Sequence, residues 1–164
     1  MPLANLPPES WRSRGIRWVF NFFPAFRRTG GRIIHLSADE EFVRLKLPLN
    51  LFTKNPFGTL FGGSMYSAVD PIYVAFFSRR LGKRVSVWDK KGTIQHILPG
   101  RTALFADFHI NDNEVAEIRE ELSRSGRVDR TYTVELMTGS GELCAAVTKT
   151  LAFRQSGALI QPNS

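Results

Sequence analysis

The chain has 164 residues, 43% of them hydrophobic and 23% charged, which suits one globular domain able to bury its own core and excludes a disordered or collagen-like chain. No apolar run approaches the roughly 18 residues that span a bilayer, and one cysteine, Cys144, excludes an internal disulfide and favours a reducing compartment. The net charge of +7 is uneven: residues 1–35 hold six arginines (Arg12, Arg14, Arg17, Arg27, Arg28, Arg32) against Glu9, giving +5, while 16 basic and 14 acidic residues leave +2 for the remainder.

The opening "MPLANLPPES" lacks the basic-then-apolar layout of a secretory signal, so the expected location is the cytoplasm. From Pro8 to about Phe23 the periodicity predicts an amphipathic helix, with Pro24 ending or kinking a helical segment of about 8–27. Trp11, Gly15, Trp18, Val19, Phe22 and Phe26 recur on one face, with Arg12, Arg17 and Asn21 on others. An aromatic stripe of this kind is expected to pack into the core, and neither membrane contact nor a nucleic-acid partner is expected.

Two short strands follow, about 31–37 and 41–48, with "SADEE" as the turn. Next comes "NPFGTLFGGSMYSAVDP", residues 55–71, with three glycines, two prolines and one acid, Asp70. The mostly apolar run ends at Gly82, with Arg79 and Arg80 placed as in a helix's last turn. Two readings of Asp70 stand side by side. In one, Asp70 caps a helix over 71–81 with Pro71 in its first turn. In the other, the helix begins near Gly62, runs through Pro71, and carries Asp70 as a chemical group.

Beyond Lys83 the texture is strand. "RVSVWDKKGTIQHIL" is one strand, with Gly92 the expected bulge; Asp89 reads either as the ion-pair partner of Lys90 or as a second acid near the site. "RTALFADFHIN" is the next, then a polar helix "DNEVAEIREELSRSG". "RVDRTYTVELMT" and "ELCAAVTKTLAFR" are long strands joined through "GSG", and 155–164 is an expected flexible tail. Cys144 is expected as a buried structural thiol. His35, His96 and His109 have no metal-ligand spacing, and no metal or cofactor is expected. The expected class is α+β: one antiparallel sheet of about six strands curled around a long apolar helix, buried because it is apolar all round.

The spacing N-x-x-G-T-x-x-G-G-x6-D, from Asn55 through Gly58, Thr59, Gly62 and Gly63 to Asp70, resembles the active-site stretch of hotdog acyl-CoA thioesterases of the phenylacetate-pathway type. Over residues 10–154 the chain is similar to a hotdog branch described only as a domain of unknown function, in which a "VWDK" strand like 87–90 and a basic aromatic N-terminal helix recur. The resemblance implies a hotdog core over about 31–154. It implies a Gly62 amide polarising a thioester carbonyl, Asp70 as general base or nucleophile, and Asn55 positioning the water or the acid. Gly58, Thr59, Phe61, Gly63 and Ser67 would line the acyl-pantetheine path, and Arg79 and Arg80 would meet coenzyme A phosphates or solvent. Phe61 stands where the family often has histidine. Eight residues put Gly62 and Asp70 about 12 Å apart along one helix, so the catalytic reading requires a homodimer with shared sites, possibly a dimer of dimers. The other reading is a non-catalytic acyl-CoA or lipid binder on the same fold.

Overall fold

A computed structural model describes residues 6–155; the expected tail, apart from Gln155, lies outside them. Helix α1 (Trp11–Phe22) starts where Ser10 and Ser13 cap each other: Ser13 N–H donates to Ser10 Oγ at 3.0 Å and Ser10 N–H to Ser13 Oγ at 2.9 Å. Its ladder stops at Phe23, and Pro24 occupies the first position of α2 (Pro24–Arg28), where a missing amide costs nothing.

The six strands are β1 (Arg32–Leu36), β2 (Phe42–Leu47), β3 (Val85–His96), β4 (Leu104–His109), β5 (Arg127–Thr138) and β6 (Leu143–Gln155). They form one antiparallel sheet in the order β1-β2-β4-β5-β6-β3, curled around the central helix α3 (Gly62–Leu81). This is the hotdog fold. Gln155 belongs to β6, where its amide donates to Gly126 O. The bulge in β3 falls at Lys90, between Asp89 and Lys91, and not at Gly92.

Helix α3 is continuous across Pro71, which excludes the short helix over 71–81. An internal proline costs about 3 kcal/mol. Burial of Ile72, Tyr73, Phe76 and Phe77 just beyond it offsets that, at about 1.5–3 kcal/mol for each large apolar side chain. Phe77 meets Phe153 edge-on at 5.2 Å, and Tyr73 meets Phe108 at 5.0 Å. The helix is not enclosed all round, however. Met65, Val69, Ile72, Phe76 and their neighbours are buried, while Ser67, Asp70, Pro71, Val74 and Ser78 on the other face are only half-buried. The polar helix α4 (Asp112–Ser125) lies between β4 and β5, capped by Asn111 and ended by Gly126 at φ +68°.

The two sheet edges differ. At β1, Asn21 accepts from Ile33 N–H and donates to Ile33 O, each at 2.8 Å, while Glu9 accepts from Leu36 N–H at 3.0 Å. These side chains give the edge the bonds another strand would supply. They also decide which side of α1 faces inward: Ser13, Ile16 and Phe20 pack down, and Phe26 follows from α2. The expected core stripe is thereby overturned for Trp11, Trp18, Val19 and Phe22, which all face outward. At the other edge, β3 bonds only to β6 among the described residues, which leaves the outer side of its twelve residues open.

Candidate active site

The loop before α3 is built by Asn55. Its Oδ1 accepts from Phe57 N–H at 3.0 Å and Thr59 N–H at 3.2 Å, and its Nδ2 donates to Thr59 Oγ1 at 2.9 Å. Gly58 completes the turn at φ +78°, a conformation side chains disfavour. Phe61 then leads into α3, its own amide donating to Thr53 O at 2.8 Å and its ring lying over Gly63. The first turn of a helix has no internal acceptors for its amides. Among the described residues, none accepts from Gly62, Gly63 or Ser64 N–H; the first bonded amide is that of Met65, to Phe61 O at 3.1 Å. A cleft of about 350 Å³ opens there, lined by Asn55, Gly62, Met65, His96 and Leu98 among others. His96, at the end of β3, stands so close to Gly62 that a Cβ there would lie 2.8 Å from the imidazole. Sequence spacing alone did not single out His96, because it arrives from 34 positions away.

Asp70 lies two turns further along α3, and a second group of polar residues converges on it. Lys149, from β6, donates to Asp70 Oδ1 at 2.5 Å, to Asp70 O at 2.7 Å and to Asp89 Oδ2 at 2.6 Å. The lysine side chain is 0% exposed, Asp89 28% and Asp70 43%. Asp89 therefore pairs with Lys149, and Lys90 pairs instead with Asp129 at 2.8 Å, correcting the expected Asp89–Lys90 pair. Burial raises the Asp89 carboxyl above the ordinary range and Asp70 adds to it, against the opposing pull of Lys149. Asp89 Oδ1 is buried with no hydrogen-bond partner among the described residues. Tyr66, one turn before Asp70, lies over Gly92, where a Cβ would overlap its hydroxyl, and its ring is 5.6 Å from Lys149 Nζ. Two acids on one ammonium leave a net negative charge when both are ionised, so the cluster can take up a proton.

The remaining candidates have partners in the fold. Ser67 donates its hydroxyl to Gly63 O at 2.6 Å. Arg79 pairs with Glu40 at 3.1 Å. Arg80 donates to Ile110 O and pairs with Asp112 and Glu41. Thr59 is buried beneath the loop. Among the described residues, no three His, Cys, Asp or Glu side chains gather into a metal site. The continuous helix keeps Gly62 and Asp70 of one chain about 12 Å apart along its axis. One carbonyl carbon cannot engage both.

The profile of the family described as domain of unknown function DUF4442 matches residues 13–153. The chain belongs to this family. The DUF4442 match spans α1 from Ser13 onward, the loop, α3 and every strand except the last two residues of β6. No curated protein matches the sequence. Among solved structures, PA5026 of Pseudomonas aeruginosa, named a protein of unknown function and probable thioesterase, is 18% identical with a TM-score of 0.77, over 92% of this chain and 98% of that one. OLEI01261 of Chlorobaculum tepidum, of unknown function, is 16% identical with a TM-score of 0.70, over 88% and 94%. HI1161 of Haemophilus influenzae, named a thioesterase, is 19% identical with a TM-score of 0.68, over 93% and 97%. With fewer than one position in five shared, this likeness establishes the fold of the DUF4442 chain, and the chemistry must be argued from its own residues.

Proposed function

We propose that the protein hydrolyses an acyl-CoA thioester to a carboxylic acid and free coenzyme A, in the cytoplasm, at sites shared between two copies of the chain. The observation that carries this reading is the pairing of an α3 N-terminus whose first amides have no acceptor with an acid held in place two turns along the same helix. An oxyanion at Gly62 N–H would be stabilised by that donor and by the helix dipole, and one such donor is worth about 3 kcal/mol in a barrier. Asp70 of the second copy takes a proton from water as the oxygen attacks the thioester carbon. The tetrahedral intermediate then expels the thiolate, breaking the C–S bond, and the sulfur recovers the proton from Asp70. Lys149 fixes the orientation of Asp70, and His96 borders the carbonyl site. Coenzyme A enters as part of the substrate, and no cofactor is needed.

The shared site is supported by two open surfaces, the free edge of β3 and the half-buried face of α3 that bears Asp70. A second copy lying antiparallel across them would extend the sheet and bring each Gly62 toward the other chain's Asp70. The test is thiol release across a panel of acyl-CoA esters. Asp70→Asn should lower turnover at least about a hundredfold with fold and oligomeric mass unchanged; an unaltered rate removes Asp70 from the mechanism.

A second reading, a non-catalytic acyl-CoA binder, is favoured by one observation: the ammonium of Lys149 neutralises the acid that would serve as base. Thermal stabilisation by acyl-CoA esters with no thiol release from any of them would decide for it.

A further inference from the structure

We infer that the outward face of α1 docks the protein on an anionic lipid bilayer. The helix has two apolar faces, and only one is used by the fold. Ser13, Ile16 and Phe20 turn inward, while Trp11, Trp18 and Phe22, at helical spacings of seven and four, turn outward and are 87%, 60% and 55% exposed. Trp18 and Phe22 stack at 4.9 Å, and Val19 and Phe23 widen the patch. The absence of membrane contact expected from the sequence assumed that these rings lay in the core. They do not.

Charge says what covers this face. A groove of about 1000 Å³ beside it is lined by Trp18, Phe22, Arg27, Arg28, Arg32 and Phe52 among others. Arg14 and Arg17 are matched by Glu9, and Arg12 by Glu40. Arg27, Arg28 and Arg32 have no carboxylate within 4 Å among the described residues, and Arg27 lies 5.7 Å over the Phe22 ring. A second copy joined about a two-fold axis would bring this basic patch against a second basic patch, because such an interface matches one patch with itself. A bilayer answers both features. Indole and phenyl rings settle at the level of the headgroups, and guanidinium groups pair with lipid phosphates. Twelve residues of helix offer about 18 Å lying in the membrane plane, and no helix among the described residues is long and apolar enough to cross it. The patch sits at the β1 edge, so the open β3 edge at the other end of the sheet stays available to a second chain.

The experiment is co-sedimentation of the full chain with vesicles of phosphatidylcholine alone or with about a third phosphatidylglycerol. Trp18→Ala/Phe22→Ala and Arg27→Glu/Arg28→Glu are compared with wild type, each checked by thermal melting, and Phe57→Ala, exposed in the loop before α3, is the control. The inference expects wild type and control to pellet with the anionic vesicles and not the neutral ones, and each double variant to lose at least tenfold in binding while its melting temperature holds. It is overturned if wild type ignores anionic vesicles at low salt, or if neither double variant loses binding. It is equally overturned if Trp18→Ala/Phe22→Ala changes the oligomeric mass, which assigns the face to a second copy. Loss of retention on duplex DNA in Arg27→Glu/Arg28→Glu with vesicle binding intact assigns it to nucleic acid instead. None of these outcomes depends on turnover at Asp70.

Discussion

Lys149 Nζ lies 2.5 Å from Oδ1 of Asp70, joining the middle of β6 to the middle of α3 across 79 positions of sequence. The same ammonium holds Asp89 on β3 at 2.6 Å. One wholly buried cation thus fixes the helix to two neighbouring strands and sets the direction in which Asp70 points. Removing it leaves two carboxylates facing each other without a counter-charge.

Lys149→Met should therefore destabilise the fold by about 3 kcal/mol, the lower end of the range for a broken buried pair because both acids keep some exposure. Adding Asp70→Asn and Asp89→Asn should restore most of the loss. Urea denaturation of the single and triple variants checks this. A single variant as stable as wild type would mean that the lysine holds nothing.

The raised carboxyl of Asp89 has a definite pH signature. A folded pKa above the unfolded value, near 3.8, means that the folded state binds the proton more tightly. The contribution of this group to stability is then complete below that value and is lost as pH rises through the folded pKa. Relative to wild type, Asp89→Asn should accordingly gain stability as pH climbs from about 4 toward neutrality. Urea midpoints for both proteins over that range are the measurement, and a difference moving the opposite way would contradict the assignment.

Glu9 behaves in the opposite sense. Burial works against its charge, but Leu36 N–H, Arg17 and the nearby His35 hold its carboxyl below the ordinary 4.5. Its contribution is present above that value and is lost as pH falls through the lower folded pKa. Glu9→Gln should cost about 1.5 kcal/mol at neutral pH and less in acid. It should also speed amide exchange at Leu36, whose N–H donates to this side chain at 3.0 Å.

Gly62→Ala should favour the helix while harming the site. Alanine is the better helix former by up to about 1 kcal/mol, yet its methyl would meet the His96 ring at 2.8 Å and press it out of the cleft. Thiol release should fall at least about tenfold with stability unchanged or raised. His96→Ala in the same background should recover part of the loss if steric exclusion is the cause.

Part of this was readable in advance. The spacing from Asn55 to Asp70, the two short strands before it and the closing pair of long strands all depend on neighbours in sequence, and the structure has them within a residue or two. Lys149 also carried a signal. In "LCAAVTKTLAF" it shares parity with Ala145, Val147 and Leu151, so strand alternation puts it on the core face, where a lone cation needs an acid. Which acid was not readable: Asp70 and Asp89 lie 79 and 60 positions away, and only the packing of α3 against β3 and β6 selects them.

By itself the sequence determined which residues share a face, because helical and strand periods are properties of the backbone. It set Trp11, Trp18 and Phe22 on one side of α1 and Ser13, Ile16 and Phe20 on the other. Tertiary structure alone decided which side turned inward. The unpaired edge of β1 needed hydrogen bonds, Asn21 and Glu9 supplied them, and satisfying those buried polar groups took precedence over burying the aromatic stripe.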